Sequence, residues 1–270
     1  MLFGRFLKRL TGSLQIKWRV LLLELFIVFI GVYLAFILNN YQESQRIKVE
    51  GEKIWSSLKL ELEGIRLAFP GWAYFQEKQN EKWDSLFQIK EVDQFFTWRY
   101  IQPQYDFTTL EYAIATRESK IVDFDLYHNL TKLYQTVQQL EHIENLMTEI
   151  GLRYKNIPPS MPTDSQEYHQ LSAENLLNFY RFIDFSKMRA SNLKRIVDLS
   201  NDLLLIINKK LGKKQQVRLE KNYIQKQIVA KFSKAPADLI KKEIQASFPH
   251  FTESEILSIY EAAKKEIDKK

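Results

Sequence analysis

The sequence predicts an all-α protein: an N-terminal transmembrane helix, then an antiparallel helical bundle, then a small C-terminal helical appendage. Three observations lead there. Glycine and proline are scarce, eight and seven in 270 residues, while Leu, Ile, Lys, Glu and Gln dominate, a balance that favours helices over a turn-rich sandwich. Residues 20–38 are an apolar run carrying one charge, Glu24. Further along, apolar residues recur three and four apart over several long windows.

The basic leader, residues 1–19, holds Arg5, Lys8, Arg9, Lys17 and Arg19 and no acid. Phe3, Phe6, Leu7, Leu10 and Leu14 share one helical face, with cations opposite. This suits a short helix lying on anionic lipid, and equally a plain cytosolic retention signal. At about 1.5 Å per residue, residues 20–38 reach about 28 Å, close to the hydrocarbon thickness of a bilayer. A cleaved signal peptide has a shorter apolar region and a small-x-small exit, whereas Phe36, Ile37 and Leu38 stand at the exit here. The run therefore reads as an uncleaved signal anchor. Cations crowd its N-terminal side and a near-balanced mixture follows it, so the N-terminus is expected in the cytoplasm and everything beyond about residue 40 outside.

Glu24 lies about a turn and a half inside the cytoplasmic end, where an ionised carboxylate is less costly than at mid-bilayer. Glu24, Gly31, Ala35 and Leu38 fall on one helical stripe, and Gly31 with Ala35 makes a small-xxx-small pair. One reading is a snorkelling acid beside two incidental small residues. The other is a seam for helix association, with a second copy or another membrane protein. Proton coupling is the weakest, because a lone acid without polar companions makes a poor relay.

The expected extracytoplasmic bundle covers residues 41–212. Ile47, Ile54, Leu58, Leu62 and Ile65 keep helical spacing until Pro70 and Gly71, where the pattern is expected to stop. A second helix is expected over Trp72, Phe75, Trp83, Leu86 and Phe87, followed by an irregular aromatic connection. Thr108 and Glu111 form a T-x-x-E capping signal before a short helix ending near Ser119. Leu126, Leu130, Leu133, Val137, Leu140, Ile143, Met147, Ile150 and Tyr154 then mark a long amphipathic helix. The proline-rich "NIPPSMPTDS" connects it to helices expected over about 166–185 and 186–211, with Gly212 as C-cap. Residues 213–270 are Lys-rich, with helices expected near 214–233, 236–247 and 252–268. Thr252 and Glu255 open the last, and Ile256 is placed to staple onto Phe251.

"LELFIVFIGVYLAFILNNYQES", followed downstream by "TTLEYAIATRESKIVDFDLYHNLTKLYQTV", resembles a family of uncharacterised bacterial single-pass membrane proteins. The resemblance rests on Glu24, Gly31, Val32, Ala35, Asn39, Thr109, Leu110, Leu126, Leu130 and Tyr134. It departs at residues 117–119, where the family tends to a small Ser/Gly turn, and it leaves the basic C-terminal region without a counterpart. It implies a bacterial inner-membrane protein with a signal anchor and an extracytoplasmic helical domain, and implies no activity.

Chemistry is hard to find. With no cysteine, disulfides, thiolate metal sites and cysteine nucleophiles are excluded. His128, His142, His169 and His250 lack the E-x-x-H pairing of a carboxylate metal site, and no G-x-S-x-G, phosphate loop or H-E-x-x-H occurs. No catalysis, cofactor or metal is expected. Basic residues at both ends flank an acidic middle, unlike a nucleic-acid groove, so no nucleic-acid partner is expected either. The aromatic run Trp72, Tyr74, Phe75, Trp83, Phe95, Phe96, Trp98 and Tyr100 is the unusual local feature outside the anchor. It reads either as core packing or as a surface for a ligand or partner, through Trp72, Phe75, Trp83 and Trp98. The expected partners are the lipid bilayer and a protein, or a second copy, bound through the membrane helix. The alternative is a sensory or ligand-binding module acting through a partner membrane protein.

Overall fold

The computed structural model describes residues 3–90, 107–115, 121–229 and 235–267, with side chains at Trp18 and from Val20 onward, Glu266 apart. Among the described residues there are helices and no strands: α1 (Phe3–Gln88), α2 (Thr108–Ala115), α3 (Phe124–Leu152), α4 (Gln166–Lys210), α5 (Lys213–Tyr223), a π-helical turn (Ile224–Val229), α6 (Ala237–Ser247) and α7 (Glu253–Ile267). The chain divides into two compact units, Met1–Gly51 and Glu52–Lys270.

The first unit is the early part of α1. It contains a helix long and apolar enough, by length and composition, to cross a membrane. Its apolar side chains are exposed all round, from Val20 through Phe29 to Leu38. A helix apolar on every face is compatible with a membrane anchor.

In the second unit, α1 contributes Ile54, Trp55, Leu58, Leu62, Ile65, Phe69, Ala73 and Trp83 to the core. The expected stop at Pro70 and Gly71 does not occur, and α1 runs on to Gln88. Proline inside a helix costs about 3 kcal/mol. Here Pro70 and Gly71 lie on the exposed side, whereas Phe69, Ala73, Gln76, Asn80 and Trp83 are buried. Burying Phe69 and Trp83 returns roughly 1.5–3 kcal/mol each, which offsets the break. The helix ends with Lys90 in the left-handed region, at φ 58°, donating its amide to the Phe87 carbonyl.

α3 and α4 form an antiparallel pair, and α4 is also antiparallel to the last part of α1. Glu144 of α3 meets Arg189 of α4, and Asp123 before α3 meets Lys210 at the far end of α4. Along α1, Phe87 meets Phe179, Trp83 meets Phe182, Gln76 meets Ser186 and Lys59 meets Asn208. Trp83, Leu86, Ile143, Met147, Ile150, Phe179, Phe182 and Ile183 close one end of this three-helix core. α2 sits against α3, and the Glu61 carboxylate of α1 accepts the Thr109 and Leu110 amides at 3.1 and 3.2 Å. A distant side chain thus satisfies two orphan donors at the start of α2.

Two expected boundaries move. The helices expected on either side of residue 185 are one continuous α4, because Ser186 and Arg189, polar interruptions in the apolar stripe, are themselves buried and bonded inside the bundle. Gly212 is not the C-cap of α4: it is the N-cap of α5, at φ −62° and ψ 148°, and Leu211 caps α4. The last carbonyls of α4 are instead met by Gln216, whose side-chain amide donates to the Asn208 and Leu211 oxygens. The Thr252–Glu255 capping box forms as expected, with the Thr252 amide on the Glu255 carboxylate at 3.1 Å and the Glu255 amide on the Thr252 hydroxyl at 3.3 Å. Phe251 and Ile256 are buried in the same cluster across that cap.

Candidate functional site

The anchor seam comes first in the chain. Glu24, Gly31 and Ala35 are exposed on α1, and a Cβ added at Gly31 would meet no heavy atom within 4 Å. Gly31 and Ala35 are thus small, exposed positions among bulky exposed neighbours such as Phe29, Val32 and Phe36.

The aromatic run separates into two populations. Trp83 is 2% exposed and packs edge-on against Phe182 at 5.2 Å between centroids, a core position. Trp72, Tyr74 and Phe75, by contrast, are 37%, 63% and 54% exposed. Helical geometry explains the split: residues 69, 73, 76, 80 and 83 keep the three-and-four spacing of the buried face, and 72, 74 and 75 fall off it. Trp98, with Phe95, Phe96 and Tyr100, lies outside the described residues. All four histidines are exposed.

Two buried charged centres went unnoticed in the sequence. In the first, Arg189 donates its Nε to Glu144 at 2.7 Å and a terminal nitrogen to the Gln76 side chain at 2.7 Å. Gln76 donates in turn to Ser186 at 2.6 Å and to Asn80 at 3.2 Å, and Ser186 donates to Asn80. This chain joins α1, α3 and α4 at one level of the bundle. In the second, the ammonium of Lys59, which is completely buried, donates to Glu220 at 2.7 Å, Asn208 at 3.0 Å and Glu63 at 3.2 Å. Arg66 donates to Glu63 at 2.6 Å and to the Ser247 carbonyl at 2.9 Å, and lies over the Phe248 ring. His250 completes the cluster, 2.8 Å from Glu220. Burial, and then the nearby Glu63 carboxylate, push the Tyr223 phenol above its ordinary value.

Lys59, Glu63 and Arg66 follow one another at i, i+4 and i+7, a spacing that reads as a solvated charged stripe beside the apolar stripe of Leu58, Leu62 and Ile65. The signal in the sequence was therefore ambiguous: only the arrival of α5 and α6 turns that stripe inward. Chemically both centres are closed, with carboxylates and cations balanced against each other. Among the described residues, no three His, Asp or Glu side chains gather where they could hold a metal ion.

Comparison with protein-family models, with curated proteins and with solved structures gave no match. The functional reading rests on the residues of this chain alone.

Proposed function

We propose that this is a single-pass inner-membrane protein, anchored by residues 20–38 with its N-terminus in the cytoplasm. Its extracytoplasmic helical domain binds protein partners or self-associates, and catalysis is not its role. The observation that carries this reading is the exposure of the small residues Gly31 and Ala35, with Glu24 on the same stripe, in an apolar helix exposed on every face. Helices in lipid gain nothing from hydrophobic contact with each other, so close association depends on packing across small residues and on hydrogen bonds between helices.

The test is crosslinking of the full chain in membranes. Gly31→Leu/Ala35→Leu should weaken association to a second copy or a membrane partner while membrane localisation persists. Glu24→Gln should retain most association and Glu24→Leu should lose it if the acid contributes a hydrogen bond to the seam. Unchanged crosslinking in the Gly31→Leu/Ala35→Leu variant would sink the packing claim. Orientation is tested separately by a cysteine introduced at Lys270, which should react with an impermeant reagent in spheroplasts; protection there would overturn the topology.

A second reading, a sensory or ligand-binding module acting through a partner membrane protein, is favoured by the joint exposure of Trp72, Tyr74 and Phe75. Adjacent exposed rings suit an apolar ligand or a peptide. Tryptophan fluorescence that responds to a candidate ligand in the wild type, and not in Trp72→Ala/Phe75→Ala, would support it.

A further inference from the structure

The C-terminal helices have a core of their own. Ile224, Ile228 and Val229 of the π-helical turn, Ile240 and Ile244 of α6, Phe248 and Phe251, and Ile256, Ile259 and Ala263 of α7 bury one another. Partly buried apolar side chains complete this cluster, and among the described residues only Leu67 of these comes from outside residues 213–267. Leu219 of α5 is buried outside this cluster, and polar contacts add to the attachment. Glu220 of α5 receives Lys59, the Ser247 carbonyl at the end of α6 receives Arg66, and Gln215 donates to Ser56 at 3.1 Å. Tyr223 faces Gly64 so closely that a Cβ there would lie 3.6 Å from its hydroxyl.

Within this compact unit, a group of helices with an apolar core of its own, tied to its neighbours in part through polar contacts, can part from them before either melts, since breaking polar contacts exposes little apolar surface. The joint between α4 and α5 is short, Leu211 and Gly212 alone, with Gly212 exposed. We infer that residues 213–267 form a clasp that opens from the helical body as one unit, with the buried Lys59–Glu220 pair as its lock. Closed, the clasp covers Lys59, Glu63 and Arg66. Open, it bares that charged row of α1 to water, and to any partner able to complement it.

The lock is asymmetric in a way that makes it testable. Removing Lys59 alone leaves the buried Glu220 carboxylate with His250 beside it and no fixed cation, while Glu63 keeps Arg66; changing Glu220 to glutamine as well removes that uncompensated charge. The experiment is hydrogen exchange read by mass spectrometry on the full chain in detergent micelles. In the wild type, peptides from α5, α6 and α7 should share one exchange class, faster than α3 and α4. Lys59→Met should speed that class at least about tenfold and leave α3 and α4 unchanged, and Lys59→Met/Glu220→Gln should recover most of the protection. As the chain has no native cysteine, Ser56→Cys/Gln215→Cys joined by a short bis-maleimide should abolish the fast class.

Equal acceleration across α3, α4 and α7 in Lys59→Met would show one cooperative body and overturn the clasp. So would wild-type exchange in α5–α7 no faster than in α3 and α4. If the single variant fails to accumulate, the double variant and the crosslinked protein decide the matter by the same comparison. Exchange reports opening whether or not a partner exists, so this inference and the partner-binding reading fail independently.

Discussion

The Glu144–Arg189 pair offers the sharpest measure of what the buried charges contribute. The Glu144 side chain is fully buried and that of Arg189 nearly so, 2.7 Å apart. Charges about 4 Å apart between centres attract by about 4 kcal/mol at an effective dielectric constant of about 20. Breaking such a pair from one side typically costs about 3–5 kcal/mol, because the surviving charge stays in the interior. Glu144→Leu should therefore remove about a fifth or more of the stability of a domain worth about 5–15 kcal/mol. Glu144→Leu/Arg189→Met takes both charges away. Replacing a buried pair with apolar side chains is neutral to stabilising by about 1–4 kcal/mol. The Gln76 carbonyl, however, loses the donor that Arg189 supplied, at about 1–3 kcal/mol. These nearly cancel, so the double variant should lie close to the wild type. Urea unfolding of the full chain in detergent, followed by far-ultraviolet circular dichroism, measures both. A double variant as unstable as the single one, or a Glu144→Leu cost below about 1 kcal/mol, would refute the reasoning, because the loss would then be one of packing volume and not of charge balance.

Three further outcomes are expected. Pro70→Ala should raise the urea midpoint by an amount equivalent to as much as about 3 kcal/mol, since Pro70 is exposed inside α1; a lower midpoint would mean that the packing of Phe69 and Ala73 requires the proline. Thr252→Ala removes the hydroxyl that accepts the Glu255 amide and should cost about 1 kcal/mol, seen as faster exchange in α7, with α3 unaffected. The Lys210 ammonium and the Leu126 amide hold the Asp123 carboxyl below its ordinary 3.8. A carboxyl whose folded value is depressed contributes fully above its unfolded value and loses that contribution as pH falls through the folded one. Asp123→Asn should thus flatten the acid limb of the stability profile below about pH 4. The effect should stay under about 1 kcal/mol because the Asp123 side chain is about half exposed; an unchanged acid limb would refute it.

Much of the secondary structure was legible from local rules. The apolar series from Leu126 to Ile150 placed α3, observed as Phe124–Leu152, because a stripe repeating at 3.6 residues can be buried on one side only as a helix. The Thr252–Glu255 box marked the start of α7 because its donors and acceptors lie within four residues of each other. Residues 20–38 announced a bilayer-length helix by composition alone. What failed was every inference whose deciding partner lies far away in the chain. Pro70 reads as a terminator until Phe69 and Trp83 are seen to be buried around it. Gly212 reads as the end of α4, yet it opens α5, and Gln216 reaches back to meet the α4 carbonyls. Thr108 and Glu111 marked the start of α2, but nothing local announces Glu61, nearly fifty residues earlier, which takes the Thr109 and Leu110 amides. Nothing in the sequence around Lys59 and Glu63 announces Glu220, 161 residues on from Lys59. Periodicity reports how many faces of a helix are apolar. Whether a charged face meets water or a countercharge depends on which other helix arrives there, and that is decided by the free energy of the assembled core.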